Sequence, residues 1–174
     1  HLLNEHTATK DIPPLLSPLL AGHDVGMLSE AGCPGIADPG AVLAEIAHRK
    51  GIRVSPLVGP SSILLSLMAS GFNGQQFTFL GYLPSDKNAR IAKLKEIEKR
   101  SQQRKETQIF IETPYRNQHM LEDILAHCSE ATKLCVASNV SLENELIISK
   151  PIAEWKKKGP LDLHKQPTVF LILG

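Results

Sequence analysis

Apolar segments with the length of β-strands alternate with helix-like segments along the chain, and this alternation limits the fold more than any other feature. The strand-like segments of the second half are FTFLGYL (77–83), TQIFIET (107–113), KLCVASN (133–139), ELIIS (145–149) and TVFLIL (168–173). Helices are predicted between several of them, after GPSS at about 63–70, at 88–104 and at 116–128. Strands that alternate with helices predict an α/β architecture with largely parallel sheets.

The first half has a shorter version of the same pattern. A short helix that starts with proline is predicted at 10–22. Strands are predicted at 25–29 and 52–58, on either side of a helix at 41–50 that ends before a glycine. Residues 25–58 are therefore expected to form a β-loop-α-β unit.

The size of the chain allows one domain or two small ones, since 174 residues with 42% apolar side chains can bury a core. The VGPSS turn and the SGFNGQQ stretch bracket the predicted boundary. We therefore divide the chain into an amino-terminal α/β domain (1–58), a turn and helix between the domains (59–76), and a carboxy-terminal α/β domain (77–174).

Charge and cysteine content exclude several classes of protein. A net charge of +1 does not mark a nucleic-acid-binding protein, and three cysteines without a CxxC pair favour neither a disulfide framework nor a zinc site. The histidines form no metal-ligand pattern, and no apolar run reaches the roughly 18 residues of a membrane span. A soluble cytoplasmic protein without a metal and without a membrane partner is expected.

The most unusual segment is SEAGCPGIADPG, residues 29–40, which lies between a predicted strand and a predicted helix. Loops in this position bind ligands in open α/β sheets, and their glycines allow close approach of the backbone. Asp38 followed by Pro39 predicts a helix N-cap with proline at the first position. The segment matches neither a Walker loop nor a dinucleotide fingerprint. A ligand loop and a purely structural turn both remain open.

Five motifs in order give the chain a resemblance to a known family: NEH, SEAGCPGIADPG, VGPSS, FLGYLP and IFIETPYR. Together they resemble the tetrapyrrole methylase superfamily, in particular its branch of ribosomal small-subunit RNA 2′-O-ribose methyltransferases (subunit I type), which methylate a cytidine. The resemblance implies a homodimeric, bilobal enzyme of two α/β domains that binds S-adenosylmethionine in the cleft between them. It runs from about residue 3 to the end of the chain.

The resemblance also implies a set of cofactor-binding residues. By position they are Gly32, Cys33 and Pro34 in the loop, Ser61 and Ser62 after the turn, and Glu112, Ala137 and Thr168 in the second domain. Several positions depart from the pattern of the branch, namely Glu30, Cys33, Gly35, Ala37 and Tyr115. The first strand and loop of the family have no match here, so an amino-terminal domain that lacks its first part, and a chain that is inactive by itself, are expected.

Methyl transfer to a ribose hydroxyl benefits from a general base, and the carboxylates predicted near strand ends are Glu30, Asp38 and Glu112. Each also has a structural interpretation: exposure to solvent for Glu30, a helix cap for Asp38, and a hydrogen bond to the following turn for Glu112. Cys33 has no surrounding nucleophile signature and is interpreted as a small packing residue.

The helix predicted at 88–104 is rich in lysine and arginine, and Lys156–Lys158 form a second basic cluster. Such clusters attract phosphate backbones, although most lysine-rich faces are only solvated. The first hypothesis is therefore RNA ribose methylation. The alternatives are methylation of a corrin or porphyrin ring, and a non-catalytic RNA-associated protein that keeps the fold.

Overall fold

All strands among the described residues lie after residue 76. The computed structural model describes residues 1–157, 159 and 161–174. This chain divides into two units, His1–Ser61 and Ser62–Gly174. Lys158, the last residue of the second basic cluster, lies outside the described residues.

The second unit is built on one five-stranded sheet. Its strands are β1 (Phe77–Tyr82), β2 (Thr107–Ile111), β3 (Lys133–Ser138), β4 (Leu146–Pro151) and β5 (Thr168–Leu173). Their order across the sheet is β1-β2-β5-β3-β4. The predicted strands of this half are confirmed, and so is the α/β class.

The prediction of largely parallel sheets is wrong, because only β1 and β2 run parallel and the other three pairs are antiparallel. A parallel pair needs a long crossover, which the segment between β1 and β2 supplies. The connection between β3 and β4, residues 139–145, is too short for one. The last strand, β5, enters between β2 and β3 and runs against both.

Most of the helices also follow the sequence pattern. They are α1 (Ser17–Leu20), α2 (Ala41–Arg49), α3 (Ser62–Ser70), α4 (Lys87–Arg104), α5 (Asn117–His127) and α6 (Ile152–Lys157). Two turns of 3₁₀ helix, Thr9–Asp11 and Pro13–Leu16, precede α1, so the helix predicted at 10–22 forms as three short pieces. The sequence did not predict α6. No helix within the described ranges is long and apolar enough to cross a membrane.

Apolar side chains cover the sheet on both faces. On one face, residues of α4, α5 and α6 pack with alternate strand residues, and the stacked rings of Phe110 and Phe170 lie 5.8 Å apart at the centre. On the other face, Ile63 and Leu67 of α3 pack against Ile109 and Leu171. Because strand side chains alternate between faces, the sheet holds its loops on a scaffold that is buried on both sides.

Two predictions for the first unit are wrong. The segments 25–29 and 52–58 form no strand. A strand needs a neighbouring strand to pair with, and neither segment has one among the described residues. Leu28 and Leu57 are 94% and 90% exposed.

Asp38 does not cap α2. The N-cap is Gly40, which makes no side-chain cap hydrogen bond. The φ angle of Gly40 is 137°, a conformation that cannot extend the helix toward Pro39. The helix therefore starts two residues later than the Asp-Pro pattern predicts.

Glu106, just before β2, predicts a pH dependence of stability. Hydrogen bonds from Arg100 (2.9 and 3.0 Å) and from Thr78 lower the pKa of this carboxyl from 4.5 to about 2. A carboxyl with a lowered folded-state pKa stabilises the fold above its unfolded pKa, and this contribution is lost as the pH falls. Glu106→Gln should therefore lower stability at pH 7 and flatten its pH dependence between about 4.5 and 2.

Urea unfolding at a series of pH values measures this effect. Glu143→Gln is the control, because Glu143 is an exposed carboxylate on the 139–145 connection. An equal flattening in both variants would contradict the assignment to Glu106.

Candidate functional sites in the two units

The glycine-rich loop of the first unit presents open backbone. Gly32 has a φ angle of 76°, and a Cβ added there would meet no atom within 4 Å. The Ser29 hydroxyl donates to the carbonyl oxygens of Ala31 and Gly32, each at 3.2 Å. The loop also closes on itself through the Gly35 N–H, which donates to the Pro39 carbonyl at 3.3 Å. A glycine backbone that is held in place and open to solvent is suited to close contact with a ligand.

Cys33 connects this loop to the VGPSS turn. Its thiol lies 3.4 Å from the Pro60 carbonyl oxygen and 3.9 Å from that of Gly59. A thiol is a weak donor to such acceptors. The glycine-rich loop and the VGPSS turn therefore meet in the structure, although the contacting residues are 26 and 27 positions apart in sequence. This contact of the half-buried Cys33 supports its interpretation as a packing residue.

The other predicted positions of the first unit differ in exposure. Pro34 is half-buried, Ser61 is buried and Glu30 is exposed. Ser62 is exposed and is the first residue of α3, in the second unit. The loop and the turn as far as Ser61 belong to the first unit.

In the second unit, polar residues lie side by side at one edge of the sheet. The registers pair Ile111 with Val169 and Ser138 with Thr168. Glu112, one residue beyond the first pair, therefore comes opposite Thr168. Ala137 precedes Ser138 on β3 and is fully buried. The predicted residues Glu112, Ala137 and Thr168 thus lie on three neighbouring segments of this edge.

Glu112 is the most constrained of these side chains. It is 1% exposed, and its Oε1 accepts hydrogen bonds from the Thr113 N–H at 2.6 Å and from Arg116 Nη2 at 2.7 Å. The expected bond to the following turn is therefore present. Its second oxygen, Oε2, is buried and accepts no hydrogen bond within the described chain.

Two further unpartnered atoms lie close by in sequence. In the described residues, five buried side-chain polar atoms lack a hydrogen-bond partner, and three of them are Glu112 Oε2, Arg116 Nε and Asn117 Oδ1. A buried polar atom without a partner costs about 1–3 kcal/mol. Their concentration after β2 indicates a place where polar groups of a ligand would restore the missing hydrogen bonds.

Gln166 organises the remainder of this edge. Its side-chain oxygen accepts from Ser138 Oγ at 3.0 Å and from Asn139 Nδ2 at 3.1 Å, and its carbonyl oxygen accepts from Asn117 Nδ2 at 2.6 Å. The Thr168 hydroxyl donates to the same carbonyl at 2.9 Å. Residues after β2, after β3 and before β5 are therefore held in one network.

Sequence reasoning did not identify Arg116, Asn117, Ser138 or Gln166 as parts of this network. Arg116 was visible as the last residue of IFIETPYR, and its ion pair with Glu112 at a spacing of four residues was the available signal. The position of Gln166 had no sequence signal, because it depends on β5 entering the sheet between β2 and β3.

The described residues support neither a metal site nor a nucleophile at Cys128 or Cys135. No group of three His, Cys, Asp or Glu side chains there could hold a metal ion. Burial raises the pKa of the Cys128 and Cys135 thiols to about 12, so neither is a nucleophile near neutral pH.

Several basic side chains of helix α4 are paired with carboxylates and are not available to a ligand. Arg90 is buried against Asp123, Lys93 pairs with Glu96 at 2.7 Å, and Arg100 pairs with Glu106 at 2.9 Å. Lys95 and Lys99 remain exposed. Lys87 and Arg104, at the two ends of α4, are exposed as well. Together with Lys95 and Lys99, and unlike the paired Lys93, they could meet a phosphate.

Comparison with curated proteins gives a consistent set of relatives. The chain is 35% identical to the Ribosomal RNA small subunit methyltransferase I of Vibrio cholerae, over 92% of this chain and 58% of that protein. It is 35% identical to the protein of the same name from Thermotoga maritima, over 91% of this chain and 70% of that one. It is 33% identical to the protein of the same name from Escherichia coli O157:H7, over 99% of this chain and 59% of that one. The chain spans about three fifths of the length of the first and third of these relatives.

Solved structures share the fold. The methyltransferase CobJ aligns over 100% of this chain and 74% of its own, with a TM-score of 0.64 and 17% identity. Cobalt precorrin-4 methyltransferase CbiF aligns over 97% of this chain and 72% of its own, with a TM-score of 0.52 and 12% identity. The family model of the Tetrapyrrole (Corrin/Porphyrin) Methylases matches residues 5–156. With most of its length matched by this model, the chain belongs to the tetrapyrrole methylase family.

Proposed function

We propose that the protein is a methyltransferase that transfers a methyl group from S-adenosylmethionine to ribosomal RNA of the small subunit, at the 2′-hydroxyl of a cytidine. The observation that carries this proposal is the 33–35% identity, over more than nine tenths of the chain, to three proteins named Ribosomal RNA small subunit methyltransferase I. We place the reaction in the cytoplasm. The homodimer that the resemblance implies stays a prediction.

The proposed cofactor-binding residues are given for each unit by itself. In the first unit we propose the open backbone at Gly32, together with Cys33, Pro34 and Ser61; in the second, Ser62, Glu112, Ala137 and Thr168. The unpartnered Glu112 Oε2 supports this proposal, because a buried carboxylate oxygen is a strong acceptor for the ribose hydroxyls of an adenosine. S-adenosylmethionine supplies a methyl group on a sulfonium, and the task of the protein is then mainly to orient donor and acceptor.

Binding and transfer test the proposal separately. Isothermal titration with S-adenosylhomocysteine is carried out on this chain and on a form extended at its amino terminus. Transfer of labelled methyl groups is then measured with small-subunit ribosomal RNA and with a porphyrin ring substrate. We expect the extended form to bind the cofactor and to transfer the methyl group to the RNA. Transfer to the ring alone would favour the tetrapyrrole alternative, and RNA binding without cofactor binding would favour a non-catalytic protein.

The loop assignment predicts the effect of one methyl group. Gly32→Ala places a Cβ where the proposed ligand approaches and should weaken S-adenosylhomocysteine binding by about 10-fold, within the range for an added methyl group in a packed contact. The substitution also strains the backbone, because φ is 76°.

Gly51→Ala is the matched control for that strain. Gly51 has a φ angle of 69° and also has no atom within 4 Å of an added Cβ. Both variants should lose about 1–2 kcal/mol of stability, but only Gly32→Ala should lose affinity. Equal affinities in the two variants would show that the loop does not contact the cofactor.

A further inference from the structure

An exposed aromatic side chain lies next to the polar edge of the second unit. Tyr115 is 68% exposed, in the turn that joins β2 to α5. It follows Glu112 by three residues and precedes the half-exposed Arg116. Burial does not explain an aromatic ring in this position, and most of the surface of Tyr115 is available to a partner.

Two side chains of the loop before β5 flank this ring. The His164 ring meets it edge-on, with the centroids 6.2 Å apart. The Lys165 ammonium lies 5.9 Å from the centroid of the Tyr115 ring, a distance at which a cation is attracted to the ring face. The result is an aromatic surface with a positive charge beside it.

The backbone holds this arrangement in place. The Lys165 N–H donates to the Pro114 carbonyl at 3.1 Å, next to Tyr115 in sequence. The Leu163 side chain is fully buried, and the Leu163 N–H donates to Gln118 Oε1 at 3.3 Å. Lys165 adopts a φ angle of 59°. The loop and the turn are therefore fixed to each other, so their backbone loses little freedom when a partner binds.

Lys165 differs from the neighbouring cation Arg116 in having no ion-pair partner among the described residues. Arg116 is paired with Glu112, whereas Lys165 has no carboxylate within ion-pair distance in the part of the chain that the structure describes. Its positive charge is available to an anion that approaches the ring.

We propose that Tyr115, His164 and Lys165 form a nucleotide-binding platform for the RNA substrate. An unpaired base stacks on Tyr115, and a neighbouring phosphate meets Lys165. Aromatic side chains beside basic ones are the usual surface for single-stranded RNA. A porphyrin ring would need a wider apolar surface than one tyrosine surrounded by polar and charged groups. This inference rests on the proposed function and names the residues that recognise its substrate.

The test measures RNA binding by the complete protein, with a fluorescein-labelled single-stranded RNA of mixed sequence at several salt concentrations. Tyr115→Leu should weaken binding at least about 10-fold, since one stacked base is lost, and Tyr115→Phe, which keeps the ring, should bind like the wild type. Lys165→Ala should reduce the salt slope by about 0.7, the value for one phosphate contact on a single strand. The double variant Lys95→Ala, Lys99→Ala tests whether α4 contributes instead.

Unchanged RNA affinity in Tyr115→Leu would overturn the platform. A loss only in the α4 variant would also overturn it and would place the RNA on that helix. S-adenosylhomocysteine titration of the same variants separates this failure from failure of the proposed function. If wild-type protein binds RNA through Tyr115 but does not bind the cofactor, the platform stands and the methyltransferase proposal fails.

Discussion

Asp123→Ala should lower the free energy of unfolding by about 3–5 kcal/mol, because it leaves a buried arginine without its counter-charge. Asp123 Oδ2 accepts from Arg90 Nε at 2.8 Å and from Nη2 at 2.6 Å, and the two side chains are 8% and 7% exposed. Arg90 Nη1 also donates to the Ser85 carbonyl at 2.9 Å. The pair therefore connects the start of α4 to α5.

Two comparisons make this result specific. Glu96→Ala removes the partner of Lys93 on the same helix, where both side chains are more exposed, and should cost less than about 1 kcal/mol. Replacing both Arg90 and Asp123 with apolar residues should cost less than Asp123→Ala alone, since no unpaired charge remains. Urea unfolding at pH 7 measures all three. A loss in Asp123→Ala no greater than in Glu96→Ala would mean that Arg90 reaches solvent when its partner is removed.

Glu112→Gln should weaken S-adenosylhomocysteine binding by about 10- to 100-fold, the range for loss of a hydrogen bond to a charged group. The amide keeps the volume of the side chain and can still accept the Thr113 N–H. It removes the negative charge from the unpartnered oxygen and the ion pair with Arg116. Arg116 is about as exposed as Arg100, the partner of Glu106, so the loss of stability should be similar to that in Glu106→Gln. Isothermal titration measures the affinity.

Glu106→Gln is the matched control for this substitution. Glu106 precedes β2 and Glu112 follows it, and each carboxylate is buried beside an arginine, Arg100 in one case and Arg116 in the other. Both variants lose an ion pair, but only Glu112 belongs to the proposed cofactor-binding residues. Equal cofactor affinity in Glu112→Gln and Glu106→Gln would remove Glu112 from the binding residues.

The local patterns predicted most elements of the second unit and failed in three places of the first, namely the two strands and the Asp38 cap of α2. Strands β2, β3 and β5 are short apolar runs, and α4 has the period of a helix, so neighbouring residues were sufficient to identify them. The segments 25–29 and 52–58 have the same apolar character but no neighbouring strand among the described residues with which to pair. Apolar character predicts that a segment can form a strand, whereas the strand itself requires a partner.

The candidate sites divide in the same way. The glycine-rich loop, Ser61 and Glu112 were predicted from motifs, since such residues recur at fixed places in a family. Three other features depend on residues that are far apart in the chain. They are the contact of Cys33 with Pro60, the placement of Glu112 opposite Thr168, and the position of Tyr115 beside Lys165. No pattern in one segment contains that information.

Most element types and the glycine-rich loop could thus be inferred from the order of residues alone, because each depends on residues close together in the sequence. The family resemblance could be inferred from the order of five short motifs along the chain. The direction and order of the strands could not, since they follow from how β5 pairs with both β2 and β3. That pairing sets Glu112 opposite Thr168 and brings Gln166 to Asn117. It also leaves three buried polar atoms near the end of β2 without partners, because the free energy of packing the whole sheet outweighs the cost of those few missing hydrogen bonds.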